Sequence, residues 1–134
     1  MKRNRARLLL LSCVFILAAP AFAHHSFEAE FDIDKPLTLT GVLTGVEWIN
    51  PHVYLHVDVK DSSDKITNWR FETLPPVMLR SGGLERSMLH SGETLTIDGY
   101  SAKDGSKFGW ASALHLMNGS TITLITPLKP TKAQ

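Results

Sequence analysis

His52-Val53-Tyr54-Leu55-His56-Val57-Asp58-Val59 alternates polar and apolar residues with a period of two. That is the pattern of a strand with one face in a core and the other toward solvent. Upstream, Asn50-Pro51 stops an earlier run rich in β-formers, residues 37–48, because proline donates no ladder hydrogen bond and restricts the residue before it. Gly41 and Gly45 fall inside that run, where a long strand bends. Downstream, residues 61–65 make a turn, and 66–73 supply a third strand with Trp69 and Phe71 on one side and Arg70 and Glu72 on the other. Pro75-Pro76, then Val77 to Arg80, then Gly82-Gly83 predict a short helix opened by proline and closed by glycine, with a second helical turn at 84–89. Residues 93–100 and 110–117 read as strands joined by a turn at 103–106, and Asn118-Gly119 predicts a type I′ hairpin into a last strand, 121–125. This order predicts a mainly all-β chain, a small OB-like Greek-key β-barrel of five to six strands with one short helix. A β-sandwich is the alternative.

The start of the chain reads as an export signal. Basic residues (Lys2, Arg3, Arg5, Arg7) precede an apolar run, residues 8–19, which is too short to span a bilayer, and small residues follow at Ala21 and Ala23. A cut after Ala23 makes His24 the first mature residue. Ala19-Pro20-Ala21 offers a second cut that leaves Phe22-Ala23-His24 in front. Cys13 lies inside the apolar run, which continues well past it, so lipid attachment is disfavoured. The chain divides into a signal peptide (1–23), an acidic arm (24–36) carrying Glu28, Glu30, Asp32 and Asp34, a barrel domain (37–126) and a flexible tail (127–134). Phe27, Phe31 and Ile33 are placed to pin the arm to the domain. A periplasmic or secreted protein is expected, with no stable membrane insertion once the signal is removed.

Cleavage leaves 111 of the 134 residues, enough for one small core and not for two. It removes four of fourteen basic residues, so ten face thirteen acids, a balance unsuited to phosphate backbones, and nucleic-acid binding is disfavoured. The only cysteine leaves with the signal, so neither a disulfide nor thiol chemistry is available to the exported domain.

Four segments together carry a resemblance: His24-His25-Ser26-Phe27, Glu47-Trp48-Ile49-Asn50-Pro51-His52, Asn68-Trp69-Arg70-Phe71-Glu72, and Gly99-Tyr100-Ser101-Ala102-Lys103-Asp104-Gly105. They resemble a family of exported bacterial proteins catalogued as domain of unknown function 6152. The resemblance spans nearly all of the mature chain and implies a secreted single-domain β protein, with no activity attached. One departure is visible: where the family usually has a Gly-Trp pair after Arg80, this chain reads Ser81-Gly82-Gly83-Leu84.

An N-terminal His24 offers two nitrogens in one residue, an α-amine with a reference pKa near about 8 and an imidazole near about 6.5. Such ligands suit Cu(II), Ni(II) or Zn(II), and His25 and His52 add further imidazoles. The arrangement resembles the histidine brace of copper proteins in its N-terminal residue alone. With the earlier cut, Phe22-Ala23-His24 can wrap Cu(II) or Ni(II) through amine, amides and ring. The competing view of His24 and His25 is a solvent-exposed pair that merely follows a cleavage site. Tyr54 and Glu72 are candidate partners that orient the His52 ring. His52 and His56 share a strand face, but about 13 Å of strand separates them, so one ion does not take both. His56, His90 and His115 read as surface or structural residues. Trp48, Trp69 and Trp110 read as core or rim.

No Gly-x-Ser-x-Gly, His-Glu-x-x-His, phosphate loop or dinucleotide fingerprint is present, which favours binding over catalysis. Three readings follow. The first is a metal-binding protein, copper before zinc, using His24, His25 and His52. The second is a metal-free binding module for an envelope protein or small ligand, with a surface around Trp48, Tyr54 and Trp69. The third is a hydrolase using Glu72 with His52.

Overall fold

A computed structural model describes residues 27–124, so the expected signal peptide (1–23), His24, His25 and the expected tail (127–134) lie outside the described residues. The described chain opens with a single helical turn, α1 (Phe27–Glu30), which runs directly into β1 (Phe31–Glu47). The first strand therefore begins at Phe31, six residues before the run of β-formers. Phe31 pairs with Ala102 and Pro36 with Tyr100, so the acidic stretch between them bulges out and the ladder resumes beyond it. From Phe27 on, the chain before residue 37 is anchored by its aromatic side chains: Phe27 is 8% exposed and Phe31 2%.

The alternating stretch forms β2 (Tyr54–Lys60), followed by β3 (Ile66–Glu72), helix α2 (Pro76–Ser81) and a single 3₁₀ turn at Arg86–Met88. Then come β4 (Thr94–Ala102), β5 (Phe108–Leu116) and the short β6 (Thr121–Thr123). Pro76 occupies the first turn of α2, where a missing N–H costs nothing, and Gly82 caps its end.

The strand order is β3-β2-β1-β4-β5-β6, with a further β3–β5 pairing that closes the ring. The first half of β1 pairs with β4 and the second half with β2, both antiparallel. A bulge between Leu43 and Gly45 turns the strand from one partner to the other. At Gly41 a Cβ would fall 2.7 Å from Val57 Cγ1 and against the Asp58 carbonyl, so only glycine lets the two strands approach this closely. Closure is parallel, Arg70 to Glu72 of β3 against Phe108 to Trp110 of β5. The result is the five-stranded, OB-type Greek-key barrel, with α2 between the third and fourth strands and β6 as an extra edge strand. Among the described residues no helix is long and apolar enough to cross a membrane.

The core follows from the period of two. Val53, Leu55 and Val57 are fully buried, and they meet Phe71, Ile97, Ala111 and Leu114 from the other strands, with Leu79, Leu84 and Leu89 closing the end beside α2. Each of the valine, leucine, isoleucine and phenylalanine side chains among them contributes roughly 1.5–3 kcal/mol by leaving water.

The Asn118-Gly119 turn differs from the expected type I′. Gly119 has φ 86°, but Asn118 is not among the residues with positive φ, whereas type I′ needs both. Gly119 N–H donates to Leu116 O (3.0 Å) and Leu116 N–H to Ser120 O (2.9 Å), a type I turn ending in a left-handed glycine.

Candidate functional site

His52 leads into β2 just after the cis Asn50–Pro51 bond. Its place is fixed by the ladder beyond β2 and β3: Tyr54 faces Glu72, Thr73 N–H donates to Val53 O (2.9 Å), and Val53 N–H donates to Leu74 O (3.2 Å). The Thr73 hydroxyl, fully buried, also donates to Val53 O at 3.0 Å. This clamp brings the His52 ring onto the end of β3, where Nδ1 is hydrogen-bonded to the Glu72 carboxylate. With Glu72 ionised, Nδ1–H is the donor and Nε2 keeps its lone pair. Among the described residues Nε2 has no hydrogen-bond partner, and the His52 side chain is 34% exposed.

Glu72 points to the polar side of its strand and yet is only 7% exposed. Its lateral neighbours are Tyr54 on β2 and Trp110 on β5. Burial pushes its carboxyl above the ordinary value, against the pull of His52 and, more weakly, Arg70, while the Glu30 charge pushes the same way as burial. Tyr54 is likewise raised, first by burial and then by the Glu72 charge. The Arg70 guanidinium lies 3.8 Å from the centre of the Tyr54 ring and 5.6 Å from that of Phe108, an attraction between a cation and ring faces.

The other wall is aromatic. Trp110 stands edge-on to the His52 ring, centroids 6.1 Å apart at 90°. Phe27 meets Trp110 at 5.5 Å and Tyr100 at 5.6 Å, both near 87°. The residue that anchors the start of the described chain and the histidine at the end of β3 therefore touch the same indole. Trp110 is 4% exposed, and its Nε1–H finds no acceptor among the described residues.

The remaining predicted residues are dispersed. Trp69 stacks on Phe71 (5.8 Å, 17°) with Lys107 Nζ 5.2 Å from its ring centre, on the opposite face of β3 from Glu72 and Arg70. Tyr54 and Trp69 thus project from opposite faces of the β2–β3 ribbon and do not share a surface. Trp48 is half-buried, with the Arg80 guanidinium 5.8 Å from its ring centre. His56 Nε2 bonds Glu47 at 2.5 Å, which holds the Glu47 carboxyl below its ordinary value. His90 approaches Glu93 at 3.3 Å, and His115 is held by Asp98 at 2.7 Å. Among the described residues no three His, Cys, Asp or Glu side chains converge on one point.

The structure brings together His52, Glu72 and Tyr54 of the sequence-predicted residues, and adds Trp110, Arg70 and Phe27 around them. Trp110 was readable only as core or rim, since its meeting with His52 depends on ring closure by β3 and β5. Chemically the pair His52–Glu72 is an imidazole with a fixed tautomer and a free nitrogen. It can ligate a metal or accept a proton. The hydroxyl of Thr73, next in the chain after Glu72, is fully buried and already donates to Val53 O, so it is not free to act as a nucleophile.

No curated protein and no solved structure matches the chain. The model of a family of unknown function, DUF6152, matches residues 11–111. That span covers most of the chain and includes β1 to β4, the His52–Glu72 pair and the first part of β5 through Trp110. On that match, the chain belongs to the family of unknown function DUF6152.

Proposed function

We propose that this is an exported transition-metal-binding protein, copper before zinc, whose site is made by the His24 amine and ring, His25 and His52. The observation that carries the reading is the His52–Glu72 bond. A buried carboxylate on Nδ1 orients the ring and leaves Nε2 for a ligand, the arrangement by which metal-binding histidines are positioned.

Chain reach supports the same reading. Phe27 and His52 both pack on Trp110, which keeps their ring centres within about 12 Å of each other. Three further residues extend at most about 10–11 Å. His24 and His25 are therefore within range of His52 if the chain turns toward it. Among the described residues no three ligating side chains converge, and His24 and His25 are the further ligands this reading assigns to a metal at His52.

The test is a Cu(II) and Zn(II) titration of His52→Ala beside His56→Ala. Removing an orienting partner alone costs about 10–100-fold in affinity, so loss of the ligand itself should cost at least as much. His56→Ala should bind as the wild type does. Equal affinity of His52→Ala and wild type would refute the assignment.

The metal-free reading, a binding module for an envelope protein or small ligand, has one feature in its favour. Arg70 is exposed and held over Tyr54, a fixed cation suited to a carboxylate group. It predicts ligand retention that survives His52→Ala and fails in Arg70→Ala.

A further inference from the structure

A second line of hydrogen-bonded side chains crosses the outside of the barrel on β1, β4, β5 and β6, and shares no residue with the His52 site. Thr38 Oγ1 donates to Asp98 Oδ1 at 2.6 Å, His115 Nε2 is 2.7 Å from Asp98 Oδ2, and Thr121 Oγ1 is 2.9 Å from His115 Nδ1. With Asp98 ionised, Nε2–H is the donor to it. Nδ1 then carries the lone pair and accepts the Thr121 hydroxyl. The Asp98 carboxyl is held below its ordinary value by the His115 hydrogen bond first and the Thr38 hydroxyl second, so it is charged at neutral pH.

The ladder explains why these groups meet. His115 lies directly opposite Thr121. Leu116 N–H donates to Ser120 O (2.9 Å) and Leu124 N–H to Ser112 O (2.7 Å), so bonded positions fall at an odd number of residues on either side of the His115–Thr121 pair, in the alternation of an antiparallel ladder. His115 and Thr121 are therefore a non-hydrogen-bonded pair, the kind in which side chains approach most closely and main-chain groups point away from the partner strand. β6 is the last strand in the order, so Thr121 N–H points to an edge with no strand beyond it among the described residues. A hydroxyl, a base, a carboxylate that fixes the base, and an unpaired main-chain N–H beside the hydroxyl are the parts of an acyl-transfer site.

We propose that Asp98, His115 and Thr121 form an acyl-transfer site on the β5–β6 edge, which accepts the acyl group of small activated esters. Thr121 Oγ1 bonds to the ester carbonyl carbon while its proton passes to His115 Nδ1. The bond from that carbon to the leaving oxygen breaks, and His115 returns the proton to the departing alkoxide. A water oxygen then bonds to the acyl carbon while its proton passes to His115 Nδ1, the bond from that carbon to Thr121 Oγ1 breaks, and His115 returns the proton to Oγ1, so the net reaction is ester plus water to acid plus alcohol. The Thr121 N–H faces the oxyanion as it forms. Asp98 is a positioning residue, acting through the His115 ring.

The experiment incubates the mature protein with p-nitrophenyl acetate and maps acetylated residues by mass spectrometry. Thr121→Val keeps the β-branched shape on an exposed strand, Thr121→Ser keeps the hydroxyl, and His115→Gln removes the base. Acetyl on residue 121 is expected in wild type and Thr121→Ser and none in Thr121→Val. In His115→Gln acylation at Thr121 should slow at least about 10-fold, the lower end of what a positioned base supplies being about 100-fold. Acetyl confined to lysines, histidines or the N-terminus would overturn the proposal, as would acylation of Thr121 at the wild-type rate in His115→Gln. The readout needs no metal and does not involve His52, so it stands or falls separately from the metal site.

Discussion

Phe27→Ala tests whether the arm is part of the fold. Phe27 is 8% exposed and meets Phe31, Tyr100 and Trp110 with ring centres 5.5, 5.6 and 5.5 Å away. Burying a phenylalanine side chain contributes about 1.5–3 kcal/mol. Aromatic pairs add roughly 0.5–1.5 kcal/mol beyond area, although pairs sharing one ring do not add fully. Core Phe→Ala changes cost about 3–5 kcal/mol. Phe27 sits on a single helical turn at the edge of the core, which can relax around the gap, so about 2–3 kcal/mol is expected. At roughly 4–8 °C per kcal/mol for a domain of this size, the thermal midpoint should fall by about 10–20 °C. Calorimetry and urea unfolding of the protein beginning at His24 measure this directly. If the proposed metal site is right, the same variant should bind Cu(II) more weakly although every assigned ligand atom remains, because Phe27 is the residue that packs the start of the described chain on Trp110. A midpoint drop of less than about 3 °C would refute the packing argument, and with it the chain-reach support for the proposed metal site.

Burial raises the Glu72 carboxyl above its ordinary value of 4.5, so the folded state holds that proton more tightly than the unfolded chain. Its stabilising contribution is present below 4.5 and lost as pH rises through the folded value, leaving a costly buried charge at neutral pH. Glu72→Gln should therefore compare more favourably with wild type in thermal midpoint at pH 7 than at pH 4; the opposite trend would contradict this. Asp98 is shifted the other way, so its contribution is present above 3.8 and disappears as pH falls through the lowered folded value. The midpoint gap between wild type and Asp98→Asn should be open at pH 7 and close in acid below 3.8, and a gap independent of pH would show that the charge is idle. Gly99 sits at the irregularity between β4 and β5 with the Trp110 carbonyl where a Cβ would be. Gly99→Ala should cost about 1–3 kcal/mol in urea unfolding, and no change would mean that the β4–β5 ladder shifts freely.

What could be read from the sequence was local. The alternation from His52 to Val59 sets β2 because its period is two and its apolar side is uninterrupted, and the Pro75-Pro76 to Gly82-Gly83 frame sets α2. Strand β1 is legible in the sequence only from Leu37 onward, since Asp32, Asp34, Lys35 and Pro36 are poor strand residues. They are tolerated because the chain bulges between Phe31 and Pro36 and both flanking residues still find β4. The hairpin at Asn118-Gly119 has the right composition for type I′ but needs only one left-handed residue, so composition alone chose the wrong turn. The site shows the same division. His52 and Glu72 are 20 residues apart and His115 and Asp98 are 17 apart, contacts set by register rather than by spacing. The burial of Glu72 depends on Trp110 arriving by the parallel closure of β3 on β5, which no single segment encodes.

The most direct measurement is the Cu(II) affinity of the protein beginning at His24, verified by mass spectrometry, beside the same protein carrying one added N-terminal glycine. The added residue leaves every imidazole in place and moves only the α-amine. One-to-one binding that is tight in the first protein and at least about 10-fold weaker in the second is the predicted result. Equal affinity in the two would contradict an N-terminal metal site and leave the His52–Glu72 pair without the ligands assigned to it.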